Sequence, residues 1–212
     1  MNFCRVRVKI CGLTSLDEAQ VAARAGADAL GFVFHAPSPR FISPEEAGRI
    51  ASALPPFVTP VAVVVNPERI WVEEILRHLP HALLQFHGEE PPSFCDAFGR
   101  PYIKAVRVHE GFDLLECYAL YPKALALLAD AFCEGLWGGT GRRCAWDAIP
   151  QNRPRPLVLA GGLSPDNIIE AISVTRPEAV DLSSGVEDAP GKKNLGKIKA
   201  LFSRIQSARK ES

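Results

Sequence analysis

Cys11 closes the apolar run VRVKIC (6–11), and Gly12 follows it at once. A thiol at a strand's end, where the chain is about to turn, can act as a base or nucleophile once it is ionised. Residues two apart on a strand share a face. Lys9 therefore points the same way as Cys11, while Val8 and Ile10 point the other way. A neighbouring cation favours the thiolate, so Lys9 is expected to assist ionisation of Cys11. The plainer alternative is a small buried hydrophobe, a common fate of free cysteine. Asp130 ends a second apolar run, ALALLAD (124–130). A carboxylate there is costly to bury without a partner. It is either a cap at the strand's exit or a general acid, whose protonated form an apolar wall favours.

Other groups suit anions. Arg40, in SPR (38–40), can grip a carboxylate with two parallel N–H bonds, or simply be an exposed solubilising arginine. AGGLSPDN (160–167) places Gly161 and Gly162 between a strand and a capped helix, where bare N–H groups can face a phosphate. DLSSGVE (181–187) adds Ser183, Ser184 and Gly185. GGTG (138–141), with Gly139 and Gly141, can wrap an anion too, although a flexible loop has the same composition. His87, in QFHG, is either a pocket residue or a core histidine.

Scattered groups need a scaffold that gathers them. Short β-branched or apolar runs recur at 6–11, 29–34, 60–65, 82–87, 102–107, 124–130, 156–161 and 179–184. Helical patterns lie between most of them. SLDEAQVAARAG (15–26) sets Leu16, Ala19, Ala22 and Ala23 on one face. SPEEAGRIASAL (43–54) opens with Ser43 as N-cap and Pro44 in the first turn. NPERIWVEEILRHL (66–79) and SPDNIIEAISV (164–174) repeat that start. Strand and helix in alternation mean β-α units on a parallel sheet. Eight such units in one 212-residue domain predict a closed (β/α)₈ TIM barrel, with an open doubly wound sheet as the alternative. The helix after strand six is expected to be short or irregular, because 135–154 carries little helical pattern. Residues from about 206 to 212 read as a polar C-terminal tail. In such a barrel the active site lies at the C-terminal ends of the strands. Cys11, Arg40, His87, Asp130, Gly161, Gly162 and the Ser183–Gly185 turn all fall there. Phosphate sites recur after strands seven and eight.

The bulk composition narrows the classes. Lys+Arg and Asp+Glu are both 24, which argues against a nucleic-acid partner. No long apolar stretch predicts a membrane span, and the N-terminus does not read as an export signal. Six scattered cysteines without a C-x-x-C pair are expected to be reduced thiols in a cytoplasmic protein, not zinc ligands. His78 and His81, in HLPH, read as surface residues beside Pro80.

KICGLT, GFVFHAPSPRFIS, VAVVVN, LQFHGEE, Asp130 before GGTG, LAGGLSPDN and AVDLSSGVEDAPGKKN follow one another in this order. The set resembles the phosphoribosylanthranilate isomerase family of tryptophan biosynthesis over nearly the whole chain. The resemblance implies a TIM barrel without cofactor or metal, taking a phosphosugar–anthranilate substrate, as a monomer or homodimer. It implies Cys11 as general base and Asp130 as general acid. Arg40 would hold the anthranilate carboxylate, and His87 and Asp181 would line the pocket. Gly161, Gly162, Ser183, Ser184 and Gly185, with the GGTG glycines, would take the phosphate. The chain departs from the family pattern at Phe86, Ala145 and Asn194. A histidine-pathway isomerase would carry an acidic residue where Cys11 stands, and a non-enzymatic barrel has no need of both Cys11 and Asp130.

Overall fold

The computed structural model describes residues 5–108, 112–130 and 145–210. Eight parallel strands form a closed barrel in sequence order. They are β1 (Arg7–Cys11), β2 (Ala29–Val33), β3 (Thr59–Val64), β4 (Leu83–Phe86), β5 (Tyr102–Arg107), β6 (Ala126–Asp130), β7 (Leu157–Ala160) and β8 (Ala179–Leu182). Pairing of β1 with both β2 and β8 excludes the open sheet. The helices are α1 (Leu16–Ala25), α2 (Pro44–Ser52), α3 (Arg69–His78), α4 (Pro92–Asp96), α5 (Leu114–Leu120), α6 (Ile168–Thr175) and α7 (Leu195–Lys210). After β6 the described chain resumes as a 3-10 turn, Ala145–Ala148. No described helix is long and apolar enough to cross a membrane.

Strand alternation sorts the side chains into two cores. Val8, Ile10, Leu30, Phe32, Leu84 and Leu127 join the layer between strands and helices. Each such buried side chain contributes about 1.5–3 kcal/mol. The barrel interior is filled at two levels. Ile103, Ala105, Ala126, Leu128, Val158 and Ala160 form one cluster, and Cys11, Val61 and Val63 form another. Lys9 and Cys11 thus share the inward face, as their spacing requires.

The helix starts hold in two cases and shift in two. Ser15 and Ser43 cap α1 and α2 by accepting from the amides of Glu18 and Glu46. Asn66 does not cap α3. It takes a left-handed backbone (φ 45°), and its side chain accepts from the Glu89 amide (2.7 Å), so the helix begins after Glu68. Ser164 does not cap α6 either. Its amide donates to Asn167 Oδ1 (2.8 Å) in a turn, and the helix begins at Ile168. Asn194 accepts from the Lys197 amide at the head of α7 (2.7 Å), and the polar residues from 206 continue that helix to Lys210. His78 meets Glu74 (3.2 Å) and Glu45 (3.7 Å) instead of His81, which is exposed.

Past β8 the chain makes a 3-10 turn, Ser184–Val186, and then a two-stranded ribbon of β9 (Glu187–Ala189) and β10 (Lys192–Lys193). Thr14 Oγ1 donates to the Gly191 carbonyl (3.2 Å), and Glu18 Oε1 accepts from the Lys193 amide (2.8 Å). These bonds hold the ribbon over the C-terminal end of β1.

Candidate active site

Cys11 ends β1, buried, with Gly31 of β2 as its register partner. A Cβ on Gly31 would stand 2.7 Å from the Cys11 sulfur and 3.0 Å from Lys9 Nζ, so glycine here makes the space both groups occupy. Lys9 Nζ donates to Asp181 Oδ2 at 2.8 Å, inside the barrel between the first and last strands. Burial opposes the Lys9 charge, but Asp181 and Cys11 outweigh it and hold the ammonium's pKa above its usual value. Burial also pushes the Cys11 thiol up; Lys9 pulls it down, and Asp181 adds to the rise. The expected assistance from Lys9 therefore has the right sign but is outweighed, because a dry site disfavours the thiolate.

A first expected outcome follows. Lys9→Met moves the Cys11 titration further up, since it removes the attraction and leaves the Asp181 charge. Thiol alkylation rates measured against pH give the shift, and an unchanged profile would remove Lys9 from the site. Breaking a buried pair costs about 3–5 kcal/mol, so Lys9→Met/Asp181→Leu serves as the paired control for stability.

The strand end is tethered to the last loop. Ser183 Oγ donates to the Cys11 carbonyl (3.1 Å), and Lys193 Nζ donates to the Ser183 carbonyl (3.3 Å) and to Glu187 Oε1 (2.5 Å). Arg40 forks onto the same carboxylate, through Nε to Oε1 (2.8 Å) and Nη2 to Oε2 (2.7 Å). Burial raises the Glu187 carboxyl, but Arg40 and Lys193 together bring it below its usual value. The hydrogen bonds Arg40 donates to Glu187, and the charge of that carboxylate, raise Arg40 further. Lys193 is pulled down by burial, which Glu187 only partly offsets.

Asp130 ends β6, three strands from β1 around the ring through β8 and β7. Its Oδ2 lies 3.5 Å from Nε2 of His87, just past the end of β4. Gln85, fully buried inside the barrel, meets His87 Nδ1 through Nε2 at 3.0 Å. The loop carrying His87 is pinned from behind. Glu90 accepts from the amides of Asn66 (2.8 Å) and Gly88 (3.0 Å) and from Lys104 Nζ (2.9 Å), and both partners of that ion pair are buried. His87, Glu89, Lys104, Arg107, Phe112 and Asp130 are among the residues lining a cavity of about 380 Å³ on this side.

The loops after β7 and β8 meet. Gly161 and Gly162 have positive φ (92° and 63°), and a Cβ on Gly162 would touch nothing within 4 Å, so open space lies in front of it. A Cβ on Gly185 would fall 1.9 Å from the Leu163 carbonyl oxygen, so only glycine permits this approach. Ser184 is exposed beside it. Gly139 and Gly141 lie outside the described residues.

The fold thus gathers the expected residues into two sets and a rim. Cys11, Asp181, Ser183 and, through Glu187 and Lys193, Arg40 form one set. Asp130 and His87 form the other. Asp181 holds Lys9 through Oδ2, and its Oδ1 is buried without a hydrogen-bond partner among the described residues. Among the described cysteines, Cys95 is buried with its thiol pushed up to about 12, far from reactive. Sequence reading misses Gly31, Gln85, Glu187 and Lys193. Gln85 leaves one trace, an amide in the apolar strand LLQF.

The family model for N-(5′-phosphoribosyl)anthranilate (PRA) isomerase matches residues 8–204. A relative from Nitrosomonas europaea named N-(5′-phosphoribosyl)anthranilate isomerase is 52% identical over 203 residues, covering 96% of each chain. A relative of the same name from Nitrosospira multiformis is 53% identical over 197 residues, covering 93% of this chain and 95% of its own. Among solved structures, phosphoribosyl anthranilate isomerase from Thermotoga maritima matches with a TM-score of 0.86 at 42% identity, over 96% of this chain and 100% of that one. A phosphoribosyl anthranilate isomerase in complex with reduced 1-(o-carboxyphenylamino)-1-deoxyribulose 5-phosphate matches with a TM-score of 0.84 at 42% identity, over the same shares.

Proposed function

Because the chain belongs to the N-(5′-phosphoribosyl)anthranilate isomerase family, we propose that Cys11 and Asp130 are the base and acid of the rearrangement it performs. The reaction is an intramolecular aldose–ketose isomerisation in tryptophan biosynthesis. It turns N-(5′-phosphoribosyl)anthranilate into 1-(2-carboxyphenylamino)-1-deoxyribulose 5-phosphate.

Asp130 gives its proton to the furanose ring oxygen. The C1–O bond breaks, the ring opens, and the nitrogen lone pair forms the C=N bond of a protonated Schiff base. Cys11, as thiolate, takes the proton from sugar C2. The electron pair left behind neutralises the iminium and yields an enolamine, which tautomerises to the ketone. One group gives and the other takes, so they must face the sugar from different strands. The observation that carries the reading is the placement of both side chains at the C-terminal rim of one barrel, on β1 and β6.

Two anion grips orient the substrate. Gly161, Gly162, Ser183, Ser184 and Gly185 form the phosphate end. Gly139 and Gly141 are assigned to it on the resemblance alone. Arg40 takes the anthranilate carboxylate through Nη1, since Glu187 already holds Nε and Nη2. His87 lines the acid's side. Asp181, held by Lys9 through Oδ2, lines the substrate pocket.

The direct test mixes purified protein with freshly made phosphoribosylanthranilate and follows the loss of its fluorescence. Turnover without added metal or cofactor is expected, and no acceleration over the blank would overturn the reading. Arg40→Lys is expected to raise KM about 10–100-fold with kcat little changed, the loss of a charge-assisted bond of about 1.5–3 kcal/mol. Steady-state kinetics check this; an unchanged KM would free Arg40 of the role.

A further inference from the structure

The mechanism above leaves Gln85 without a task. It is a polar side chain with no exposed surface, deep in the barrel, and its Oε1 has no hydrogen-bond partner among the described residues. Burying an unsatisfied amide oxygen costs about 1–3 kcal/mol. Its other end, Nε2, stands 3.0 Å from His87 Nδ1, and the far nitrogen of that ring stands 3.5 Å from Asp130 Oδ2. Amide, imidazole and carboxyl therefore form one line running from the barrel core to its rim.

The line has directional content. An amide N–H facing Nδ1 makes that nitrogen an acceptor and leaves the ring proton on Nε2, where it points to Asp130 as a donor. A donor suits a carboxylate. The same amide turned over presents Oε1 to Nδ1. The ring proton then sits on Nδ1, and Nε2 becomes an acceptor for a protonated carboxyl. Gln85 satisfies either state of Asp130, and in each orientation one end of the amide bonds the ring. An apolar residue at 85 would satisfy neither.

We propose that Gln85 is a positioning residue for the acid: its buried amide sets the tautomer of His87, and His87 in turn holds the Asp130 carboxyl in register with its protonation state. The inference rests on the reading of Asp130 as the acid. Other charges also face this line. Arg107 and Lys104 from β5 and Glu89 from the His87 loop line the cavity beside it, and Lys104 is paired with the buried Glu90.

The test uses the full chain with Gln85→Leu and Gln85→Glu, and reads imidazole ¹⁵N shifts of His87 beside steady-state kinetics. In the parent, His87 is expected to show one dominant tautomer, protonated on Nε2 when Asp130 is ionised. In Gln85→Leu the tautomers mix and kcat falls about tenfold, the scale of one lost hydrogen bond. KM stays within twofold, and the acidic limb of the kcat profile moves. In Gln85→Glu a carboxylate faces Nδ1, so the Nδ1–H form dominates and kcat also falls. A tautomer ratio unchanged by Gln85→Leu would overturn the proposal. So would a changed ratio with the same kcat profile. Should Gln85→Leu not fold, Gln85→Glu carries both readouts. Asp130→Asn separates the two levels. Full turnover in that variant removes the acid assignment, whatever Gln85 does to the ring.

Discussion

Cys11→Ser lowers kcat by about 10²-fold or more, the scale of a single positioned base, and leaves the fold intact. Serine nearly matches the thiol in size, and Cys11 packs against Val61 and Val63 inside the barrel. The thermal midpoint is expected within a few degrees of the parent's. The hydroxyl differs where it matters: it does not ionise in the accessible range, so the proton at C2 has no strong acceptor. The pH profile adds a second readout. Below its pKa Cys11 is a thiol and cannot take a proton; above it Cys11 is the working thiolate. Burial holds that pKa above the ordinary cysteine value, so kcat/KM of the parent keeps rising through the alkaline range. Cys11→Ser lacks this limb. Equal turnover with an unchanged alkaline limb would falsify the assignment.

Asp130→Asn is expected to lower kcat by about 10²–10⁴-fold, for a different reason. The amide keeps the shape of the carboxyl and can still meet His87, but it has no acidic proton for the ring oxygen. The block falls on ring opening, before Cys11 acts. Substrate binding survives, because Arg40 and the glycines after β7 and β8 belong to other loops. Calorimetry with reduced 1-(o-carboxyphenylamino)-1-deoxyribulose 5-phosphate, which is already open, is expected to give nearly the parent affinity. Loss of that affinity together with activity would instead make Asp130 a binding group.

The eight strands are legible in the sequence because each is a short apolar run between helical patterns, and the closed barrel follows from their number. Lys9 and Cys11 share a face by spacing alone. What the spacing cannot give is the net sign at the thiol. That depends on how dry the site is and on Asp181, which stands 172 residues from Lys9. The same limit explains the misread helix starts. Asn66 and Ser164 have the right residue types for caps, but each side chain or amide has a tertiary or turn partner that displaces the helix start. Glu187 and Lys193 are ordinary charged residues in a linear reading. They matter only because the ribbon folds back over β1 and places one carboxylate between Arg40 and Lys193. The glycine at 31 is invisible for a related reason, since its purpose is the space it leaves on the neighbouring strand.

The Lys9–Asp181 bridge ties the ring's seam to the charges around Cys11. During ribosomal synthesis β1 emerges first and β8 nearly last. Until then the sulfur lacks half its walls, and the ammonium lacks its counter-ion. Such a distant closure is slow relative to local helix formation. A refolding time course should therefore show secondary structure well before turnover, so that regained catalysis marks completion of the seam.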